Sequence, residues 1–148
     1  MSNISAVDVA KYFLVRDDRE DAETGISNLK LQKLLYYAQG FHLAIFDKPL
    51  FSQNIEAWAH GPVVPGVYHD YKQHGRSAIP APEEFSPEKS FTEEQLDFLN
   101  EVYEVFGQFS AWKLRNMTHE EAPWQDYEEV AGTIPQADLK AYFKTRIK

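Results

Sequence analysis

Residues 30–71 read KLQKLLYYAQGFHLAIFDKPLFSQNIEAWAHGPVVPGVYHDY, and the reading of this stretch decides the architecture. Leu31, Leu34, Leu35, Ala38, Phe41, His42 and Ile45 recur at helical spacing, which predicts a helix over 29–45. Its apolar stripe is wide, so the helix is expected to be central and contacted on several sides. Asp47-Lys48-Pro49 makes a turn. Beyond it, Leu50 to Trp58 alternates too weakly to decide between a short strand and an extended segment. Gly61-Pro62 is expected to stop regular structure. Pro65 suits the first turn of a third helix that carries Val67, Tyr68 and Tyr71 and ends near Gly75.

On the N-terminal side, Ser5 followed by Asp8 reads as a cap with an acid in the first turn, opening a helix to about Arg16. A polar link over residues 17–25 follows, and Ser27 or Asn28 can cap the second helix. On the C-terminal side, Arg76 to Ser90 holds Pro80, Pro82 and Pro87 and reads as a long surface loop, a natural place for a mobile or binding segment. Thr92 with Gln95 forms a capping box before Leu96, Leu99, Val102, Tyr103 and Phe106. Ser110 can cap a short helix bearing Trp112 and Leu114, and Thr118 with Glu121 offers another capping box ahead of Pro123-Trp124. Pro135 opens a last helix whose apolar side is Leu139, Tyr142 and Phe143. The expected fold is mainly α: one domain over residues 1–148, an irregular bundle of about five to seven helices with at most a small β-hairpin.

A chain of 148 residues suits one core, and 43% hydrophobic with 14% aromatic residues is far from the makeup of a disordered chain. The chain is therefore expected to fold without a partner. A net charge of −8 disfavours a nonspecific grip on phosphate backbones, so nucleic acid is not expected as the main ligand. Acids crowd two stretches without a base: Glu93, Glu94, Asp97, Glu101 and Glu104, then Glu120, Glu121, Asp126, Glu128 and Glu129. Lys140, Lys144, Arg146 and Lys148 form the basic cluster. The acidic faces read as solvated surface or as a docking face. The absence of cysteine excludes disulfides, thiolate metal sites and thiol nucleophiles, and fits a reducing cytoplasm. No signal peptide or membrane span is expected, since no apolar run approaches ~18 residues.

Little in the pattern points to catalysis. No Gly-x-Ser-x-Gly elbow occurs, and the seven glycines are scattered singly, which argues against nucleotide chemistry. His69 and His74 lie five residues apart, which turns their rings about 140° from each other on a helix. No metal, cofactor or catalytic residue is expected. His42, on the apolar stripe, reads as a hydrogen-bonded core residue. The pairs Glu93/Asp97 and Asp97/Glu101 read as solvated acids rather than an acid–base pair. Lys33, Tyr36, Tyr37 and Phe41 could be taken for a base-stacking set, but the surrounding charge opposes it, and these tyrosines suit either the core or an interface. The run from Glu56 to Pro62 joins Trp58 and His60 to a backbone fixed by Gly61 and Pro62. It reads equally as a rigid presentation surface and as an anchor into the core.

These residues carry a resemblance. Lys-Leu-Gln-Lys-Leu-Leu-Tyr-Tyr-Ala-Gln-Gly at 30–40, Pro-Leu-Phe at 49–51, Glu-Ala-Trp at 56–58, Gly-Pro-Val at 61–63, Val67-Tyr68 with Tyr71, and Thr118-His119 followed by Pro123-Trp124 together resemble the Panacea domain of SocA-like antitoxins and phage-associated GepA-like proteins. Phe41 stands where the family often has tryptophan. His60 stands where tyrosine is common, so no family role is carried over to it. The resemblance implies a cytoplasmic type II antitoxin without enzymatic activity, which binds a cognate toxin encoded nearby. For SocA-like members it also implies an adaptor that delivers the toxin to a cytoplasmic protease. Some members add a DNA-binding domain; none is expected within these 148 residues, so operator binding is not expected here. Trp58, His60, Gly61, Pro62, Tyr68 and Tyr71 are the expected toxin-binding residues. The alternative is a small phage- or mobile-element-associated hydrolase with Trp58, His60 and Trp124 lining a pocket.

Overall fold

The structure, a computed structural model, describes residues 4–19 and 25–147. Part of the polar link expected over 17–25 lies outside the described residues, as does Lys148. The chain is mainly helical. In order it forms α1 (Ala6–Arg19), α2 (Asn28–Phe46), β1 (Ile55–Trp58), β2 (Gly61–Val63), α3 (Pro65–Tyr71), α4 (Pro87–Ser90), α5 (Glu93–Phe106), α6 (Ala111–His119), α7 (Ala122–Gln125), β3 (Thr133–Ile134) and α8 (Gln136–Lys144). Without the single-turn pieces α4 and α7, the described helices fall within the expected range.

The second helix forms where its periodicity places it. Ser27 caps it, its hydroxyl accepting from the Lys30 backbone N–H at 3.3 Å, and Asp47 closes it in a left-handed conformation at φ 64°. The helix is buried almost all round, packing against α1, α5, α6, α8 and β2. Ile45 departs from the expected stripe and is 50% exposed. Gly40 lets α8 approach, since a Cβ there would stand 2.2 Å from the Phe143 ring. That ring meets Tyr36 edge-on at 5.4 Å and Phe41 at 4.8 Å, while Tyr37 stacks on Phe106 at 4.1 Å. Aromatic contacts of this geometry add about 0.5–1.5 kcal/mol each beyond simple burial. The tyrosines of α2 are thus core residues.

Three local expectations are corrected. The first helix continues past Arg16 because its last turn is docked on α5: the Arg16 Nε–H donates to Asn100 Oδ1 at 2.7 Å, and the Tyr103 hydroxyl donates to Asp17 Oδ1 at 2.6 Å. Gly61-Pro62 does not stop regular structure. It opens β2, an edge strand in the antiparallel order β2-β1-β3. Proline is tolerated there because Ala57, its partner in register, turns its own N–H away to the Gly132 carbonyl at 2.9 Å. Thr118 does not cap α7. It lies buried inside α6, its hydroxyl donating to the Arg115 carbonyl at 2.9 Å, and Glu121 takes the N-cap position without a side-chain cap bond. By contrast, the Thr92/Gln95 capping box forms reciprocally, at 3.2 and 2.8 Å. The stretch 76–90 is mostly irregular, but Ile79 is buried and Pro87 opens α4.

Candidate functional site

The polar residues of the helix-two motif point inward, and all but Lys33 fasten another segment. Gln39 accepts from the Leu50 N–H at 2.8 Å and donates to the Phe51 carbonyl at 2.8 Å, holding the chain after the turn. Gln32 accepts from the Val64 N–H at 2.9 Å and donates to Asn28 Oδ1 at 2.9 Å. Asn28 in turn donates to the Tyr68 carbonyl at 3.1 Å. The entry to α3 is therefore fixed by side chains of α2. Lys30 Nζ donates to the Gly107 carbonyl at 2.6 Å. Tyr36 and Tyr37 donate to the two oxygens of Glu121 at 2.8 and 2.9 Å. Burial pushes the Glu121 carboxyl upward against the lowering effect of these hydrogen bonds, and it pushes both phenols upward as well, helped by the Glu121 charge. His42 is the hydrogen-bonded core residue expected, with Nδ1 2.7 Å from the Lys48 carbonyl.

The segment from Trp58 to Pro62 is the tip of the β1–β2 hairpin, with Ala59 and His60 exposed between the paired residues Trp58 and Gly61. Trp58 is half-buried. Its indole N–H donates to Glu56 Oε1 at 2.9 Å, and its ring lies edge-on to Tyr68 at 5.2 Å and 6.4 Å from exposed His69. The Trp58 carbonyl accepts from the Trp124 indole N–H at 2.7 Å, which ties the tip to α7. Tyr71 is half-buried one turn beyond Tyr68. Gly61 and Pro62 are buried, so they set the backbone rather than offer contact surface. The Trp58 ring of the hairpin thus meets Tyr68 of α3, with Tyr71 further along that helix, while His60 stands exposed in the turn itself.

Beneath the tip lies a cationic cluster that periodicity alone did not expose. Lys33 is fully buried, and among the described residues its Nζ finds no hydrogen-bond partner. Burial, and then the Arg115 charge, lowers this ammonium to about 7. A Cβ on Gly61 would stand 2.3 Å from Lys33 Cε and 3.1 Å from Thr118 Oγ1 and would have to displace the end of the buried lysine, and the φ of 116° favours glycine whatever the space. His119 stacks on Trp124 at 3.8 Å. Burial lowers its pKa first, followed by the charges of Arg115, Lys33 and His60. Only the wide apolar stripe of α2 hinted in sequence that a lysine within it would be buried. Glu93, Glu94, Asp97 and Glu101 are exposed on α5, as solvated acids would be. No helix among the described residues is long and apolar enough to cross a membrane.

A mainly α module, whose longest motif is consumed in holding a short hairpin and α3 in place, is the class of protein that fold and site define. The chain belongs to the family described as Antitoxin SocA-like, Panacea domain, which it matches over residues 31–125, from α2 through α7. Over 66 residues it is 44% identical to Antitoxin SocA of Caulobacter vibrioides (strain NA1000 / CB15N), a match that covers 45% of this chain and 35% of that protein. The matched stretch therefore spans about a third of that relative's length. No solved structure matches the chain.

Proposed function

We propose that this chain is a non-catalytic antitoxin, a single binding module that neutralises a cognate toxin encoded nearby by direct protein–protein contact at the hairpin tip. The observation that carries the reading is the aromatic pair of Trp58 and Tyr68, with exposed His60 in the adjoining turn, on a backbone held by Gly61, Pro62 and the Gln32 hydrogen bond to Val64. Aromatic side chains on a fixed backbone lose little entropy on binding and carry a disproportionate share of interface energy. Tyr71 extends the same face along α3. Membership of an antitoxin-like family supports the class of partner.

Expression of the neighbouring reading frame, alone and together with this chain, tests the proposal. The expected outcome is growth arrest from the neighbour alone and rescue by the pair. An unchanged level of the rescued toxin indicates a steric block, whereas its disappearance indicates delivery to a cytoplasmic protease. A neighbour that is harmless alone, or lethal in both cases, contradicts the proposal.

A further inference from the structure

A second face of the molecule is apolar, open and bordered by opposite charges on its two sides. Phe41 and Ile45 of α2, Phe98, Val102, Val105 and Phe106 of α5, and Ile147 line a groove of about 230 Å³. Ile45 is 50% exposed, Val105 46% and Ile147 39%, and they stand together rather than singly. Isolated apolar residues are ordinary on a protein surface, but a contiguous set around a groove marks a contact site.

The charges at its borders select the occupant. Along α5, Glu94, Asp97, Glu101 and Glu104 are exposed at spacings of three and four residues, which sets them in a row, and Glu101 itself lines the groove. On the other side, exposed Lys144 and Arg146 precede Ile147. Lys140 forms an ion pair with Asp47, which caps α2 two residues beyond Ile45, and Lys144 adds its charge at the same aspartate. A uniformly cationic or anionic partner would meet like charge on one rim. A second copy of this chain, turned about a two-fold axis running along the groove, sets each acidic rim against a basic one and closes apolar residues on apolar residues.

We propose that this groove is a self-association site, occupied by the same groove of a second copy of the chain. It lies on residues other than the hairpin tip, so its failure leaves the antitoxin reading intact, and the converse also holds. Sedimentation of the whole chain over a range of concentrations, at low and high salt, is the test. The expected result is a monomer–dimer equilibrium weakened by salt. Val105→Glu should weaken it about ten-fold or more, as loss of a central apolar contact does, with unchanged circular dichroism because that side chain is already half exposed. Glu101→Lys and Lys144→Glu should each weaken it, and the double variant should recover much of the loss. A wild-type chain that stays monomeric throughout overturns the proposal, and so does a dimer indifferent to Val105→Glu or a double variant no better than either single one. Binding of a short Leu/Lys helical peptide to a strictly monomeric chain, abolished by Val105→Glu, would assign the groove to a foreign segment instead.

Discussion

Lys33 places an ammonium in the middle of the core, under Gly61, without an acceptor among the described residues. Replacing a buried ion pair by apolar side chains of similar volume is often neutral or stabilising, by about 1–4 kcal/mol, and a lone buried ammonium has no ion-pair partner to lose. Lys33→Met is therefore expected to raise stability at neutral pH, read from urea unfolding. The pH dependence has a definite sign. The unfolded chain keeps the lysine proton to about pH 10.4, whereas the folded chain releases it near 7. Between those values the folded state binds fewer protons, so stability rises with pH; below the folded value both states are protonated and this slope vanishes. Relative to Lys33→Met, the wild type should gain stability from about pH 7 toward 9, whereas above about pH 10 the raised pKa values of Tyr36 and Tyr37 lower the stability of both proteins alike. Parallel curves for the two proteins would show that the buried lysine does not titrate in this range.

At the scale of the element, the hairpin depends on Gly61. An alanine there meets Lys33 Cε at 2.3 Å and must adopt φ 116°, so Gly61→Ala is expected to cost about 2–4 kcal/mol in unfolding free energy. Gly66→Ala is the contrast: it lies in α3 with nothing within 4 Å of the added carbon, and should be neutral or stabilising by about 0.4–1 kcal/mol. Equal losses in both would place the sensitivity in α3 rather than in the close approach. The same contrast separates what was legible in the sequence from what was not. Helices long enough to show periodicity, with Ser27, Thr92 and Ser110 as caps, could be read from local pattern alone. Two-residue β3 and single-turn α4 and α7 are too short to carry a period. The hairpin was obscured by a Gly-Pro pair that normally ends a strand and here lies on an edge. The residues under the tip were illegible for a different reason: Glu121 meets Tyr36 across 85 positions and Gln32 meets Val64 across 32, and no local window contains such pairs.

Over the whole molecule, α2 acts as a hub whose Gln32, Gln39, Tyr36 and Tyr37 are used internally, which is why the proposed contact surfaces lie on what it supports, the hairpin tip and the acid-bordered groove. With a net charge of −8, long-range attraction to a basic partner would speed encounter without saying where the partner docks. Affinity of stably folded variants does say where. The most direct measurement is the dissociation constant for the purified toxin of His60→Ala, Tyr68→Phe, Tyr68→Ala and Tyr71→Ala, with Glu94→Gln and Glu101→Gln as controls and melting temperatures recorded for each. Truncation at the tip is expected to weaken binding about ten-fold or more at one of these positions, as interface anchors do, with melting unchanged and the acidic-helix variants close to wild type. Wild-type affinity for all the tip variants, with loss in the Glu94 and Glu101 variants, would contradict the account and move the toxin to α5.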